Sequence, residues 1–69
     1  MFKKRFKVSC DFIEQTGAKG VVSFETKFLF DLRRPRFEEM LKREIIEGAY
    51  EEQEIVIEEI GNLKIEKID

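Results

Sequence analysis

A chain of 69 residues is long enough for one small domain, since single cores usually need about 50 to 200 residues. It has no histidine and one cysteine, Cys10, which excludes internal disulfides, Cys/His zinc sites and histidine-based catalytic centres. No apolar run approaches the roughly 20 residues that span a bilayer, so no membrane partner is indicated and we expect a cytoplasmic protein.

Charge is distributed unevenly along the chain. The formal net charge is −2 at pH 7. Residues 1–43 hold eleven Lys or Arg and six Asp or Glu, whereas residues 44–69 hold two Lys or Arg and nine Asp or Glu. The two halves form separate surface patches only if the fold keeps them apart.

The first element in chain order is a predicted β-hairpin over about residues 4–31. Apolar residues occupy the even-numbered positions from Phe6 to Phe12 and again, apart from Thr26, from Val22 to Phe30, the alternation typical of half-buried strands. Side chains repeat every two residues, so only registers that pair even with even positions keep both apolar sets on one face. With glycines at 17 and 20, we predict a loop of about five to seven residues.

A helix is predicted over about residues 35–48. Pro35 suits a first helical turn, and Gly48 is a plausible stop. Spacings of three and four residues predict one apolar side, which would lie on the sheet. That side consists of Phe37, Met40, Leu41, Ile45 and Ala49.

The last segment, about residues 53–68, has two interpretations. One is a single long strand that keeps Ile57 and Ile65 on the core face, with a bulge or bend at Glu59 and Gly61. The other is a second hairpin that turns at Gly61 and Asn62. A two-residue turn there would mix polar and apolar faces, so the alternation favours the long strand.

These elements predict one α+β domain over residues 1–69, in ββαβ order. The sheet would be antiparallel and three-stranded, or four-stranded if the last segment is a hairpin, with strand order 2-1-3 and one helix packed on one face. The opposite sheet face, the open face, would then be uncovered and unusually apolar, so we expect a second copy or another partner to cover it. Its candidate interaction residues are Ile13, Val21, Leu29, Val56, Ile60 and Ile68.

No residue pattern indicates catalysis. Neighbouring carboxylates such as Glu38 and Glu39 point in different directions, and no glycine pattern forms a phosphate-binding loop. Cys10 lies in an apolar row and is predicted to be a buried core side chain. We therefore predict no catalytic residue, no cofactor, no metal and no small-molecule substrate.

Two charged patches remain as candidate binding surfaces. The basic patch, where strand 1 begins and strand 2 ends, comprises Lys3, Lys4, Arg5, Lys7, Arg33, Arg34 and Arg36. The acidic patch comprises Glu47, Glu51, Glu52, Glu54 and Glu58, whose spaced carboxylates could imitate the phosphates of DNA.

The functional prediction is a non-enzymatic protein-interaction module that acts as a homodimer. Its size and character suggest an accessory or inhibitor protein from a phage or other mobile element. The alternative is a small nucleic-acid-binding protein that uses the basic patch, with Phe2 and Phe6 interleaved among the cations. The salt dependence of binding distinguishes these two predictions, because binding to nucleic acid weakens steeply as the salt concentration rises.

Overall fold

The computed structural model describes residues 3–68, which form an α+β fold of three strands and one helix. The strands are β1 (Lys4–Glu14), β2 (Lys19–Phe28) and β3 (Ile57–Ile68); a 3-10 turn (Pro35–Phe37) leads into the helix α1 (Glu38–Gln53). All strand pairs are antiparallel, in the order β2-β1-β3. The predicted class, the ββαβ order and the single long last strand are confirmed.

The hairpin of β1 and β2 has the predicted register. Even-numbered residues face even-numbered ones throughout, with Val8 opposite Phe24. The loop is residues 15–18, shorter than the five to seven residues predicted. Two backbone hydrogen bonds of 2.8 Å close it, from the Glu14 N–H to the Ala18 carbonyl and from the Gly17 N–H to the Glu14 carbonyl, and Gly17 has the positive φ of 93° that this turn requires.

The prediction that Gly48 ends the helix is wrong. Helix α1 continues through Gly48 to Gln53, because an internal glycine costs only about 1 kcal/mol relative to alanine. The extra turn brings Ala49 against the core. The helix ends at Glu54, which adopts left-handed φ of 57° and donates its N–H to the Tyr50 carbonyl at 2.9 Å.

The core draws on the hairpin, the connection after it, the helix and the last strand. Its buried residues form one cluster: Phe6, Val8, Cys10, Leu32, Leu41, Ile45 and Ile57. The partly buried residues packed against it include Phe12, Val22, Phe24 and Ile65. Leu32 lies outside every strand and helix, although it is only 1% exposed.

Strand β3 is bulged twice against β1, and the bulges change which of its residues face the core. Ser9 lies opposite Lys64 and Asp11 opposite Gly61, so residues 62 and 63 together oppose Cys10. A second shift leaves residue 58 as an extra residue opposite the end of β1. The bulges therefore lie near positions 58 and 62, close to the predicted Glu59 and Gly61.

The placement of Ile60 on the open face is wrong. Ile60 pairs with Phe12 and packs against the core cluster, on the same side as Ile57. Uninterrupted alternation would put residues 57 and 60 on opposite faces, and the extra residue at position 58 brings them to one face.

Two glycines are expected to respond to alanine in opposite directions. A Cβ on Gly20 would overlap the ring of Phe12, whose Cε2 atom would lie 2.9 Å away, whereas a Cβ on Gly48 meets nothing within 4 Å. We expect Gly20→Ala to lower the free energy of unfolding by about 1–3 kcal/mol through overpacking. Gly48→Ala should raise it by about 1 kcal/mol through helix propensity. Urea denaturation of both variants checks this; equal effects would contradict the placement of Phe12 over Gly20.

Candidate interaction surfaces

The apolar residues predicted for the open face do not form one patch. The register places Ile13, Val21 and Ile68 on that face. Ile13 and Ile68 lie at opposite ends of β1, about 26 Å apart along the strand. Leu29 and Val56 lie just outside the strands, at 41% and 45% exposure.

Polar contacts extend along the open face from Arg5 to Asp11. Arg5 Nη2 lies 2.8 Å from Glu25 Oε1, and Lys64 Nζ lies 3.6 Å from Glu66 Oε1. Asn62 donates its side-chain N–H to Asp11 Oδ2 at 2.7 Å. Exposed pairs of this kind contribute only about 0–1 kcal/mol each, but they keep this surface hydrated. The apolar side chains of the open face are therefore separated by charged and polar ones.

An apolar groove lies instead on the opposite side, between α1 and β2. Among the described residues, Cα atoms of α1 come within 8 Å of β3 but not of β2. The space left has a volume of about 530 Å³, and Glu44 and Glu52 are among its lining residues. Its apolar lining includes Phe12, Val22, Phe24, Ile45, Ala49 and Ile55. We call this the β2 groove.

The two outer edges of the sheet differ in their protection against strand pairing. Within residues 3–68 neither the outer edge of β2 nor that of β3 has a strand beside it. Strand β3 carries two bulges, which twist an edge away from partners. Strand β2 pairs with β1 over ten residues without a register shift. The edge of β2 is therefore the less protected one.

The basic patch is only partly assembled. Arg5 is paired with Glu25, and Arg33 makes a bidentate contact with Asp31, with Nε and Nη2 at 2.9 and 2.8 Å from its two oxygens. This contact holds the pKa of the Asp31 carboxyl well below its usual range. Lys3 is exposed just before β1, and Lys7 lies on the open face.

The other three cations of the basic patch share one small cavity. Lys4, Arg34 and Arg36 line a space of about 350 Å³ together with Phe30 and Phe37. The two aromatic residues predicted to accompany the cations do not do so: Phe6 is fully buried, and Phe2 lies outside the described residues. Sequence reasoning missed Phe30 and Phe37, although Phe30 follows the alternation of β2 beyond its last paired residue.

The acidic patch is divided by the helix. All five of its residues are exposed. Glu47 and Glu58 line a cavity on the β3 side of α1, which also contains Lys42 and Arg43. Glu52 borders the β2 groove on the other side. The five carboxylates therefore do not form a single row like the phosphates of a DNA strand.

Cys10 lies in the core, and burial, together with the charge of Asp11, raises the pKa of its thiol. Between residues 3 and 68, no group of three or more cysteine or acidic side chains is placed to hold a metal ion. The helix that the structure describes is too short and too polar to cross a membrane.

Comparison with known proteins finds no matching family model, no matching curated protein and no matching solved structure.

Proposed function

We propose that the protein is a non-enzymatic protein-interaction module that acts as a homodimer, and that two copies pair along strand β2. The proposal rests on one observation: β2 combines an unbulged outer edge with the apolar β2 groove beside it. The proposal also includes the packing of helix α1 on the face of the sheet that carries the even-numbered residues of β1 and β2. Leu41 and Ile45 of the helix belong to the same core cluster as Phe6.

Pairing between two β2 strands would satisfy both features at once. The outward N–H and C=O groups of each β2 would find partners in the other copy, in an antiparallel pair about a two-fold axis. Even-numbered positions must face even-numbered ones for the apolar side chains of both copies to share one face. Val22 and Phe24 of the two copies would then line one continuous apolar seam.

The open face supports a dimer less well. Its apolar side chains lie towards the two ends of the strands, and a partner covering the whole face would have to bury the charged pairs on it. Desolvating ion pairs costs as much as their attraction returns, or more. For this reason we place the interface at β2 and not on the open face.

Two neighbouring valines test this proposal. Both valines border the β2 groove, but the register puts the Val22 side chain on the groove side of β2 and the Val21 side chain, in a residue that is 73% exposed, on the open face. We expect the native chain to be a dimer at micromolar concentration in analytical ultracentrifugation, at both low and high salt. Val22→Lys should give a monomer because it places a charge in the seam, whereas Val21→Lys should remain a dimer.

The opposite pattern, a monomer for Val21→Lys and a dimer for Val22→Lys, would move the interface to the open face. A native chain that sediments as a monomer at every salt concentration would overturn the homodimer. Circular dichroism of both variants verifies that each remains folded.

A further inference from the structure

The end of the molecule where β1 begins and β2 ends carries a set of aromatic contacts. Three phenylalanines form it, and we call them the aromatic cluster: Phe28, Phe30 and Phe37. The rings of Phe30 and Phe37 are nearly parallel, at 16° and 6.4 Å between centroids. Phe28 meets both of them edge-on, at 6.2 Å and 5.3 Å. The three rings therefore hold one another in a fixed orientation.

Phe30 is the exposed member of this cluster. Its residue is 62% exposed, whereas Phe28 and Phe37 are half-buried and pack against the core. An exposed phenylalanine that neighbouring rings hold in place is a preformed platform for a flat apolar group, because little rotamer freedom remains to be lost on binding.

Cations without carboxylate partners surround this platform. Lys4, Arg34 and Arg36 line the same cavity as Phe30, and none of them is within ion-pair distance of an acidic side chain in the described structure. The guanidinium carbon of Arg36 lies 5.2 Å from the centre of the Phe37 ring. Among the described residues, Asp31 is the one carboxylate lining the cavity, and Arg33 already neutralises it.

We propose that this end of the molecule binds single-stranded nucleic acid, with one base stacked on Phe30 and neighbouring phosphates held by Lys4, Arg34 and Arg36. A stacking platform beside unpaired cations matches an exposed base flanked by phosphates, the combination that single strands present. An acidic peptide would use the cations but not the ring. Duplex DNA keeps its bases stacked inside the helix and away from Phe30.

The chain contains no tryptophan, so Phe30→Trp creates a unique fluorescent probe at the site. We expect oligo(dT) or oligo(U) to quench this fluorescence, with affinity falling as salt rises. The two oligonucleotides distinguish DNA from RNA as the preferred strand. The control is Tyr50→Trp, a substitution of another exposed aromatic residue on α1, which should not be quenched.

Removal of each half of the site tests it separately, by anisotropy of a labelled oligonucleotide. We expect Phe30→Ala to weaken binding about tenfold or more, within the range known for loss of base stacking. The double variant Arg34→Gln, Arg36→Gln should weaken binding and lower the slope of affinity against salt. Arg5→Gln removes a cation already paired with Glu25 and should change affinity less than about twofold.

Three results would overturn this inference: no binding of either oligonucleotide at low salt, unchanged affinity for Phe30→Ala, or equal binding of a polyglutamate peptide. The Val22→Lys variant should still bind, since this end of the molecule is separate from the β2 groove.

Discussion

Leu32→Ala is expected to lower the free energy of unfolding by about 2–5 kcal/mol, the usual cost of truncating a buried leucine. Leu32 is 1% exposed and belongs to the same core cluster as Phe6 and Leu41. A domain of this size is stable by only about 3–10 kcal/mol in total. We therefore expect a large fall in the urea midpoint, measured by circular dichroism at a fixed protein concentration.

Leu29→Ala is the matched control, because it makes the same change in the same connection between β2 and the 3-10 turn. Leu29 is 41% exposed, so the substitution should cost about 1 kcal/mol or less. Equal losses for the two variants would contradict the burial of Leu32. Equal losses would indicate that residues 29–34 stabilise the fold through their backbone and not through the side chain of one buried residue.

Leu32 also marks a limit of prediction from this sequence. Alternation identifies core residues in strands and three-four spacing identifies them in helices, but Leu32 lies between Asp31 and Arg33 in a connection that has neither period. Its burial depends on how the connection crosses the end of the sheet. In this connection Asp31 and Arg33 form a bidentate contact. Two oppositely charged residues at this spacing in a sequence do not predict such a contact.

The fold itself followed from local patterns. The even-numbered apolar rows of β1 and β2 predicted both strands and their register, and Leu41 and Ile45 belong to the predicted apolar side of the helix. The predicted end of the helix was wrong, because a glycine ends a helix only when the residues after it make no stabilising contacts in a helical conformation. Ala49, one residue beyond Gly48, reaches the core by continuing.

The candidate surfaces were harder to predict, because they depend on parity and on tertiary contacts. One bulge residue moved Ile60 from the expected open face to the core. Pairing with carboxylates removed Arg5 and Arg33 from the basic patch. No local sequence pattern predicts the bulge in β3 or these ion pairs. The position of the basic patch at the start of β1 and the end of β2, in contrast, was predictable from the hairpin alone.

Two single-residue deletions at the β3 bulge of residues 62 and 63 are expected to differ greatly in their effect on stability. Residues 62 and 63 together oppose Cys10, so deleting Asn62 leaves Leu63 alone opposite Cys10 and preserves every other pair of the ladder. The deletion loses the contact of Asn62 with Asp11 and also removes a residue in left-handed φ of 53°. We expect the two effects nearly to cancel, with a net change of about 1 kcal/mol or less in the free energy of unfolding.

Deleting Lys64, two residues further on, should be far more damaging. The ladder can again close without a bulge, but Asn62 then faces Cys10 in the core and Leu63 moves to the open face. A buried unpaired amide costs about 1–3 kcal/mol, and moving the partly buried Leu63 into solvent costs up to about 1.5 kcal/mol more. A large part of the stability of a small domain would be lost. Thermal denaturation of the two deletions compares them directly, and equal losses would show that the bulge does not lie at residues 62 and 63.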